Sequence, residues 1–275
     1  MTTVSRFATI NGNRVHYVDE GSGPTLLMLH GNPTSSLVWQ GVIDRLSSSF
    51  RCVAPDYPGF GRSTAGEGYT YTVREHAAVV AGLVEQLDLR DYVLAMQDWG
   101  GPIGITAAAQ DPARVRGLVI ANTWAWPVNG DPRFEIASRL MGGPLGRLAI
   151  TRLNMFVNVM LPLGHRLRKL TDDEMQAYRD AMATPTARRA ASVLPAAILG
   201  ERQLLEETEE AVARFADRRS LIVWADKDVA FQERELERWR RLLPASTVVP
   251  VPGAGHFVQS DAPEAVAAAI RSSFA

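Results

Sequence analysis

In the stretch Tyr92-Val-Leu-Ala-Met-Gln-Asp98-Trp-Gly-Gly101 an apolar run ends on an aspartate, and paired glycines follow at 100 and 101. The run Tyr92 to Met96 reads as a strand buried on both faces, and the glycines permit a sharp turn into a helix, where a strand-to-helix elbow presents a nucleophile. That nucleophile is a carboxylate. A serine oxygen displacing a leaving group from a saturated carbon would leave an ether, which water and a neighbouring histidine cannot cleave. A carboxylate would leave an alkyl ester, whose carbonyl water can attack to free an alcohol and regenerate the acid. Asp98 therefore points to substrates with an electrophilic saturated carbon, alkyl halides or epoxides. The competing role is a plain helix cap, which Asp also fills well.

In open parallel sheets ligands bind beyond the carboxyl ends of the strands, so the polar residues just after each apolar run are the candidates for chemistry. Beside Asp98 these are Asn32 in His30-Gly-Asn-Pro-Thr34, Asp228 in Trp224-Ala-Asp-Lys-Asp228, and His256 in Gly253-Ala-Gly-His256. The order of nucleophile, acid and histidine is that of the α/β-hydrolase triad. Asp226 competes with Asp228 for the acid, and Asp228 fits the usual spacing better. His30 reads as a loop-shaping residue, while His16, His76 and His165 have no partner that the sequence names.

On four motifs, His30-Gly-Asn-Pro-Thr-Ser-Ser36, Asp56-Tyr-Pro-Gly-Phe-Gly-Arg-Ser63, Gln97-Asp-Trp-Gly-Gly101 and Gly255-His-Phe257, the chain resembles a haloalkane dehalogenase of the α/β-hydrolase fold over essentially its whole length. The second motif belongs to the wider fold; the first and third are the discriminating ones. The resemblance implies Asp98 as nucleophile, His256 as base and Asp228 as its supporting acid, with the side chains of Asn32 and Trp99 holding the departing halide. A halide leaves as an anion and needs hydrogen-bond donors without a proton, which a carboxamide and an indole supply. The backbone N–H groups of Asn32 and Trp99 are the expected oxyanion hole. Some members carry the acid on the strand after the nucleophile's helix; here that place is Asn122, which cannot ionise, so the pattern resembles the subgroup with the acid after the later strand. Met96 departs from the family pattern, which prefers a small residue two before the nucleophile.

An epoxide hydrolase is the nearest rival. Epoxide opening needs acidic donors, typically cap tyrosines, and the expected cap holds only Tyr178, while Asn32 stands where those enzymes generally carry an aromatic. A fluoroacetate-type dehalogenase would place arginines beside the nucleophile, and Trp99-Gly100-Gly101-Pro102 offers none. A non-catalytic receptor on the same scaffold would not need an intact nucleophile, base and acid, and a luciferase-like oxygenase shares part of this motif set.

The elements that must hold these residues alternate. Thr25 to Leu29, Arg51 to Ala54, Tyr92 to Met96, Gly117 to Ala121, Leu221 to Trp224 and Thr247 to Val251 read as buried strands. Leu37 to Leu46, Val73 to Leu87, Gly101 to Gln110, Arg234 to Leu243 and Pro263 to Ser272 read as amphipathic helices. The fold class is therefore α/β, a mostly parallel sheet flanked by helices, with an antiparallel hairpin, Arg6 to Ile10 and Arg14 to Asp19, at its edge. Between about Trp124 and Asp217 only helical patterns appear. This divides the chain into a core of residues 1–123 and 218–275 and an inserted helical cap of 124–217. Trp124, Trp126, Phe134, Met155, Phe156, Met160 and Leu161 are candidates for an apolar pocket there, although such spacing usually means ordinary helix packing. Arg188-Arg189 and Arg240-Arg241 read as solvated faces.

The 275 residues carry a formal charge of -1, which points to neither a nucleic-acid nor a membrane-surface partner. A small apolar halogenated substrate, with water and a halide product, fits better; the oligomeric state is open. No cofactor and no metal is expected, since the histidines are scattered. The single cysteine, Cys52, lies in the apolar run Arg51-Cys-Val-Ala-Pro55, which excludes a disulfide within the chain. The start of the chain lacks a basic-then-apolar signal pattern, and the expected location is cytoplasmic.

Overall fold

The computed structural model describes residues 5–275; residues 1–4, expected to belong to the core, lie outside the described residues. The strands are β1 (Ser5–Ile10), β2 (Asn13–Glu20), β3 (Thr25–Leu29), β4 (Arg51–Pro55), β5 (Tyr92–Asp98), β6 (Val115–Thr123), β7 (Arg219–Ala225) and β8 (Thr247–Val251). They form one sheet in the order β1-β2-β4-β3-β5-β6-β7-β8. Only β2 runs against its neighbours, and the β1–β2 hairpin occupies the edge. The α/β fold and all eight strands were legible in the sequence.

The central strands are apolar on both sides because helices cover both faces. Leu26, Leu27, Met28, Leu29, Leu94 and Met96 are fully buried, each contributing roughly 1.5–3 kcal/mol. The helices flanking the first part of the sheet are α1 (Gln40–Leu46), α2 (Val73–Gln86) and α3 (Gly100–Ala108). A reciprocal cap starts α2: Glu75 N donates to Thr72 Oγ1, and Thr72 N donates to the Glu75 carboxylate.

Between β6 and β7 the chain forms α4 (Pro132–Gly142), α5 (Pro144–Leu153), a π-helical turn (Phe156–Met160), α6 (Leu161–Leu163), α7 (Asp172–Ala181), α8 (Arg189–Gly200) and α9 (Arg202–Val212). Helices α4 and α8 pack together, and α9 packs on α3, against the flank of the sheet. The last three helices are α10 (Glu233–Leu242), α11 (Val258–Asp261) and α12 (Pro263–Phe274), and α12 packs on α1.

Two charged clamps fasten the helical insertion to α10 and α11. At its entry, buried Asp131 caps α4 and binds Arg133 and Arg234, while Arg133 also reaches Glu235 of α10 at 2.8 Å. Past α6, the Asp261 carboxylate accepts the backbone N–H groups of Arg166, Leu167 and Arg168 and also that of Gly255. These four donors hold the carboxyl below its ordinary range against the opposing effect of burial. The second clamp fixes the loop just before His256.

One expectation is corrected. Arg188 is no solvated side chain: it donates to the carbonyls of Met182, Ala183 and Thr151 and ties α5, α7 and α8 together. Arg240 and Arg241 are exposed, as expected of a solvated face, and Arg240 pairs with Glu237 and Glu233 on its own helix. Among the described residues no helix is long and apolar enough to cross a membrane.

Candidate active site

β3 and β5 are paired in register from Leu26↔Val93 to Leu29↔Met96, so the loop leaving β3 and the turn leaving β5 emerge side by side. The pairing of β5 with β6 slips between Gln97 and Asp98, where the strand bends into the elbow. Asp98 itself takes the left-handed conformation, φ 50°. For a non-glycine residue this is strained, and Thr123 Oγ1 steadies the turn by donating to Asp98 O at 2.5 Å. The glycines serve another purpose than the one read from sequence. A side chain on Gly100 would sit 2.6 Å from Leu29 O, and one on Gly101 would collide with the Thr123 hydroxyl, so they let α3 start hard against β3 and β6. Gly31 likewise leaves the space that the Asp98 side chain occupies. Met96 is accommodated by Gly104, where an added Cβ would meet its sulfur at 3.1 Å.

The Asp98 carboxylate has one held oxygen and one open one. Asn32 N donates to Oδ1 at 2.8 Å, and the Trp99 backbone N–H also donates to the carboxylate. Oδ2 lies 3.6 Å from His256 Nε2. On the far side of the imidazole, Nδ1 lies 2.9 Å from Asp228 Oδ2. Asp228 is buried and its oxygens are filled: Oδ1 accepts from Ala230 N, and Oδ2 accepts from Asn122 Nδ2 at 3.0 Å as well as from the histidine. Asp226, the competitor, sits at the surface with Lys227 and Gly253 N.

Burial pushes the Asp98 carboxyl up, and the charge of His256 with the two backbone donors offsets only part of that, so it lies above its ordinary range. Burial alone would push His256 down, but the charge and hydrogen bond of Asp228 and the charge of Asp98 outweigh it and raise the ring to about 9. The other histidines have structural partners. His30, lowered to about 4 by burial, accepts from Tyr57 N and donates to Gly31 O, which shapes the loop carrying Asn32. His16 pairs with Asp56, Tyr69 OH contacts His76, and His165 contacts Leu161 O and Ser260.

Above Asp98 lies a cavity of about 260 Å³ whose lining includes Asn32, Trp99, Trp124, Phe134, Phe156, Met160, Phe231 and His256. Of the pocket candidates, Trp124, Phe134, Phe156 and Met160 reach it. Trp126 instead packs edge-on against Trp239, and Met155 and Leu161 are not among its walls. Tyr178 is buried away from the cavity, and burial holds its phenol well above the ordinary range.

The side chains of Asn32 and Trp99 both line the space before Asp98. One N–H of the Asn32 amide is spent on Ala191 O of α8 at 3.1 Å, and its Oδ1 has no partner. The buried indole N–H of Trp124 is also unpartnered. Sequence reasoning missed Gln97, Gln259 and the support that Asn122 gives Asp228; Gln97 stood inside a motif already singled out. Among the described residues no group of three or more His, Cys, Asp or Glu side chains is arranged to hold a metal ion.

The chain matches the α/β hydrolase fold family over residues 24–263. It is 40% identical over 272 residues to haloalkane dehalogenase 2 of Mycobacterium tuberculosis, covering 98% of this chain and 94% of the relative. It is 31% identical over 290 residues to a cis-3-alkyl-4-alkyloxetan-2-one decarboxylase of Xanthomonas campestris, covering 98% and 95%. Among solved structures, the haloalkane dehalogenase DbeA from Bradyrhizobium elkani superposes with a TM-score of 0.89 at 28% identity, covering 98% of this chain and 96% of that one.

Proposed function

This chain belongs to the haloalkane dehalogenases of the α/β-hydrolase fold, hydrolytic enzymes, and from that premise we propose how its own side chains divide the work. Asp98 Oδ2, the open oxygen, attacks the halogen-bearing carbon and forms an alkyl ester as the halide departs. The Asn32 amide and the Trp99 indole donate to the departing ion, which needs no proton. Esterification removes the charge of Asp98, one of the influences that raise His256. The ring thereby becomes a competent base only once there is an ester to hydrolyse. Its Nε2 takes a proton from water as that water attacks the ester carbonyl, and Asp228 stabilises the imidazolium. Oδ1, held by the N–H group of Asn32, becomes the oxyanion, and the Trp99 backbone N–H lies at the same carboxylate. Collapse expels the alkoxide, which takes the proton from His256 Nε2 and leaves as the alcohol, and the acid so formed ionises to restore the Asp98 carboxylate.

The observation that carries this division is the asymmetry of the Asp98 carboxylate, with Oδ1 on Asn32 N at 2.8 Å and Oδ2 facing His256 Nε2 at 3.6 Å. The substrate is a small apolar halogenated compound, supported by the apolar walls of the cavity. The segment 124–217 works as a cap, with α4–α8 over the site and α9 resting on the core of 1–123 and 218–275. A cytoplasmic location is part of the proposal, supported by a lone buried thiol, Cys52, which burial pushes up to about 12. An epoxide hydrolase is not favoured, since the cap's tyrosine does not reach the cavity.

The test is halide release. Incubation with 1-bromobutane or 1,2-dibromoethane yields bromide and alcohol, and Asp98→Ala abolishes both. Bromide release surviving in Asp98→Ala, or diol formation from styrene oxide with no reaction on bromides, contradicts the proposal. Turnover of a cis-3,4-dialkyloxetan-2-one in place of the bromides would assign the chain the decarboxylase's chemistry instead.

A further inference from the structure

Resting on the two-step division of labour above, we propose that Gln97 is a positioning residue that holds His256 as a base, by donating a hydrogen bond to the nitrogen that takes the proton from water. Gln97 is the last residue of β5 before Asp98 and is fully buried. Its amide nitrogen lies 3.2 Å from the backbone oxygen of His256 and 3.1 Å from His256 Nε2. Its oxygen accepts from Gln259 Nε2 on α11 at 3.3 Å.

These contacts fix both the amide and the ring. A backbone carbonyl only accepts, so the group facing it is the NH₂, and an NH₂ only donates. Nε2 therefore presents its lone pair to Gln97, and the ring proton sits on Nδ1, donating to Asp228 Oδ2 at 2.9 Å. Turning the amide over would set its oxygen against the His256 carbonyl, a repulsive pair in a buried place; Gln259, whose Oε1 has no partner, can turn with it, so the His256 carbonyl alone decides the orientation. The arrangement suits the neutral ring, the form that takes a proton from water once Asp98 is esterified.

The consequence is electrostatic as well as geometric. Once Nε2 carries a proton it faces the Gln97 donor, and in the ester it no longer has the charged Asp98 oxygen that lies 3.6 Å away in the free enzyme, so the amide favours the neutral ring. The charged groups at the ring act the other way: Asp228 from the loop after β7 and Asp98 from the elbow, both raising it. Arg166 lines the same cavity from the segment past α6, and Asp261 of α11 is taken up by backbone N–H groups. The rings of Phe231 and Phe257 complete the surroundings. Gln97 thus opposes Asp228, the carboxylate that still raises the histidine once Asp98 is esterified.

The experiment separates alkylation from hydrolysis in Gln97→Leu and Gln97→Glu with 1-bromobutane, by rapid quench and intact mass across pH 5.5–10. In Gln97→Leu the neutral ring loses its donor, so the acid limb of the hydrolysis rate moves up by about one pH unit, about tenfold at a fixed acid pH, while alkylation changes little. In Gln97→Glu a carboxylate accepts from Nε2–H, and the butyl adduct accumulates at neutral pH. An unmoved acid limb in the first variant, or no adduct in the second, overturns the proposal. A purely structural amide would alter stability and both rate constants without moving the limb. Should either variant fail to fold, the wild type decides. With ¹⁵N-labelled glutamine and histidine at pH 10, a scalar coupling across the Gln97 N–H to His256 Nε2 bond is expected, and its absence overturns the assignment. Absence of bromide release from the wild type would instead count against the dehalogenase mechanism itself.

Discussion

Replacing Asp228 with asparagine removes one charge while keeping the shape, and the surroundings of that carboxylate predict a different effect on each half-reaction. In the wild type Oδ1 accepts from Ala230 N while Oδ2 accepts from His256 Nδ1 and from Asn122 Nδ2. An asparagine has one acceptor for these two places. Kept on Ala230 N, its oxygen leaves an NH₂ against Nδ1, which forces the ring proton onto Nε2 and disables the base. The electrostatic loss adds to this: a unit pair about 4 Å apart at an effective dielectric constant near 20 is worth at most about 4 kcal/mol. The rise of His256 from 6.5 to about 9 corresponds to roughly 3 kcal/mol from all influences together. Hydrolysis in Asp228→Asn is therefore slower by at least ~10²-fold. The Asp98 nucleophile makes no hydrogen bond to Asp228, so alkylation stays within a few-fold of wild type. Rapid mixing with excess 1-bromobutane should give a bromide burst equal to the enzyme concentration, then a slow phase, with an alkyl adduct by mass. A lost burst together with a lost steady-state rate would show that Asp228 serves the first step, and the reasoning would fail.

Asn122→Asp sets a second carboxylate beside buried Asp228 and removes the donor to it; a loss of ~2–4 kcal/mol in urea unfolding and a fall in turnover are expected, and unchanged stability would speak against the role given to Asn122. Gly31→Ala places a methyl where the Asp98 side chain lies, so alkylation drops by ~10² or more while the fold survives by circular dichroism; normal bromide release would refute the close approach. His256→Phe keeps the nucleophile and loses the base, so the alkyl adduct persists, visible as a mass increase. The same variant tests linkage. The His256 pKa is raised to about 9, so the stability it contributes is complete below about pH 6.5 and is lost as pH rises towards 9. Thermal melts of wild type should fall across that window more steeply than those of His256→Phe, and parallel curves would deny the raised value.

How far the chain could be read from its residues depends on where information is local. The strands announce themselves because each is a short, continuously apolar run buried on both faces, and Asn32, Asp98, Asp228 and His256 stand immediately after four of them. Loops carry such residues to one edge of a parallel sheet whatever the details of packing, which is why their proximity is legible. What the sequence hid is pairwise and long-range. Asn122 looked like a vacated acid position, whereas its amide spans to β7 and steadies the acid that stands elsewhere. Gln97 lay beside the nucleophile, yet its partners are 159 and 162 residues away. Gly100 and Gly101 suggested a turn made by glycine; the strained φ belongs to Asp98, and the glycines make room for neighbouring strands. In the insertion, helical periodicity could not tell Trp124, which lines the cavity, from Trp126, which packs on Trp239, because both are buried at similar spacing.

The central claim is that the substrate's carbon is carried for a time on Asp98, and a single turnover in H₂¹⁸O tests it most directly. With enzyme in excess over 1-bromobutane, the butanol should contain ordinary oxygen taken from the Asp98 carboxylate, and peptide mass analysis should find the heavy isotope in Asp98. Heavy oxygen in the first-turnover alcohol, with Asp98 unlabelled, would mean that water attacked the carbon directly and that no ester was formed.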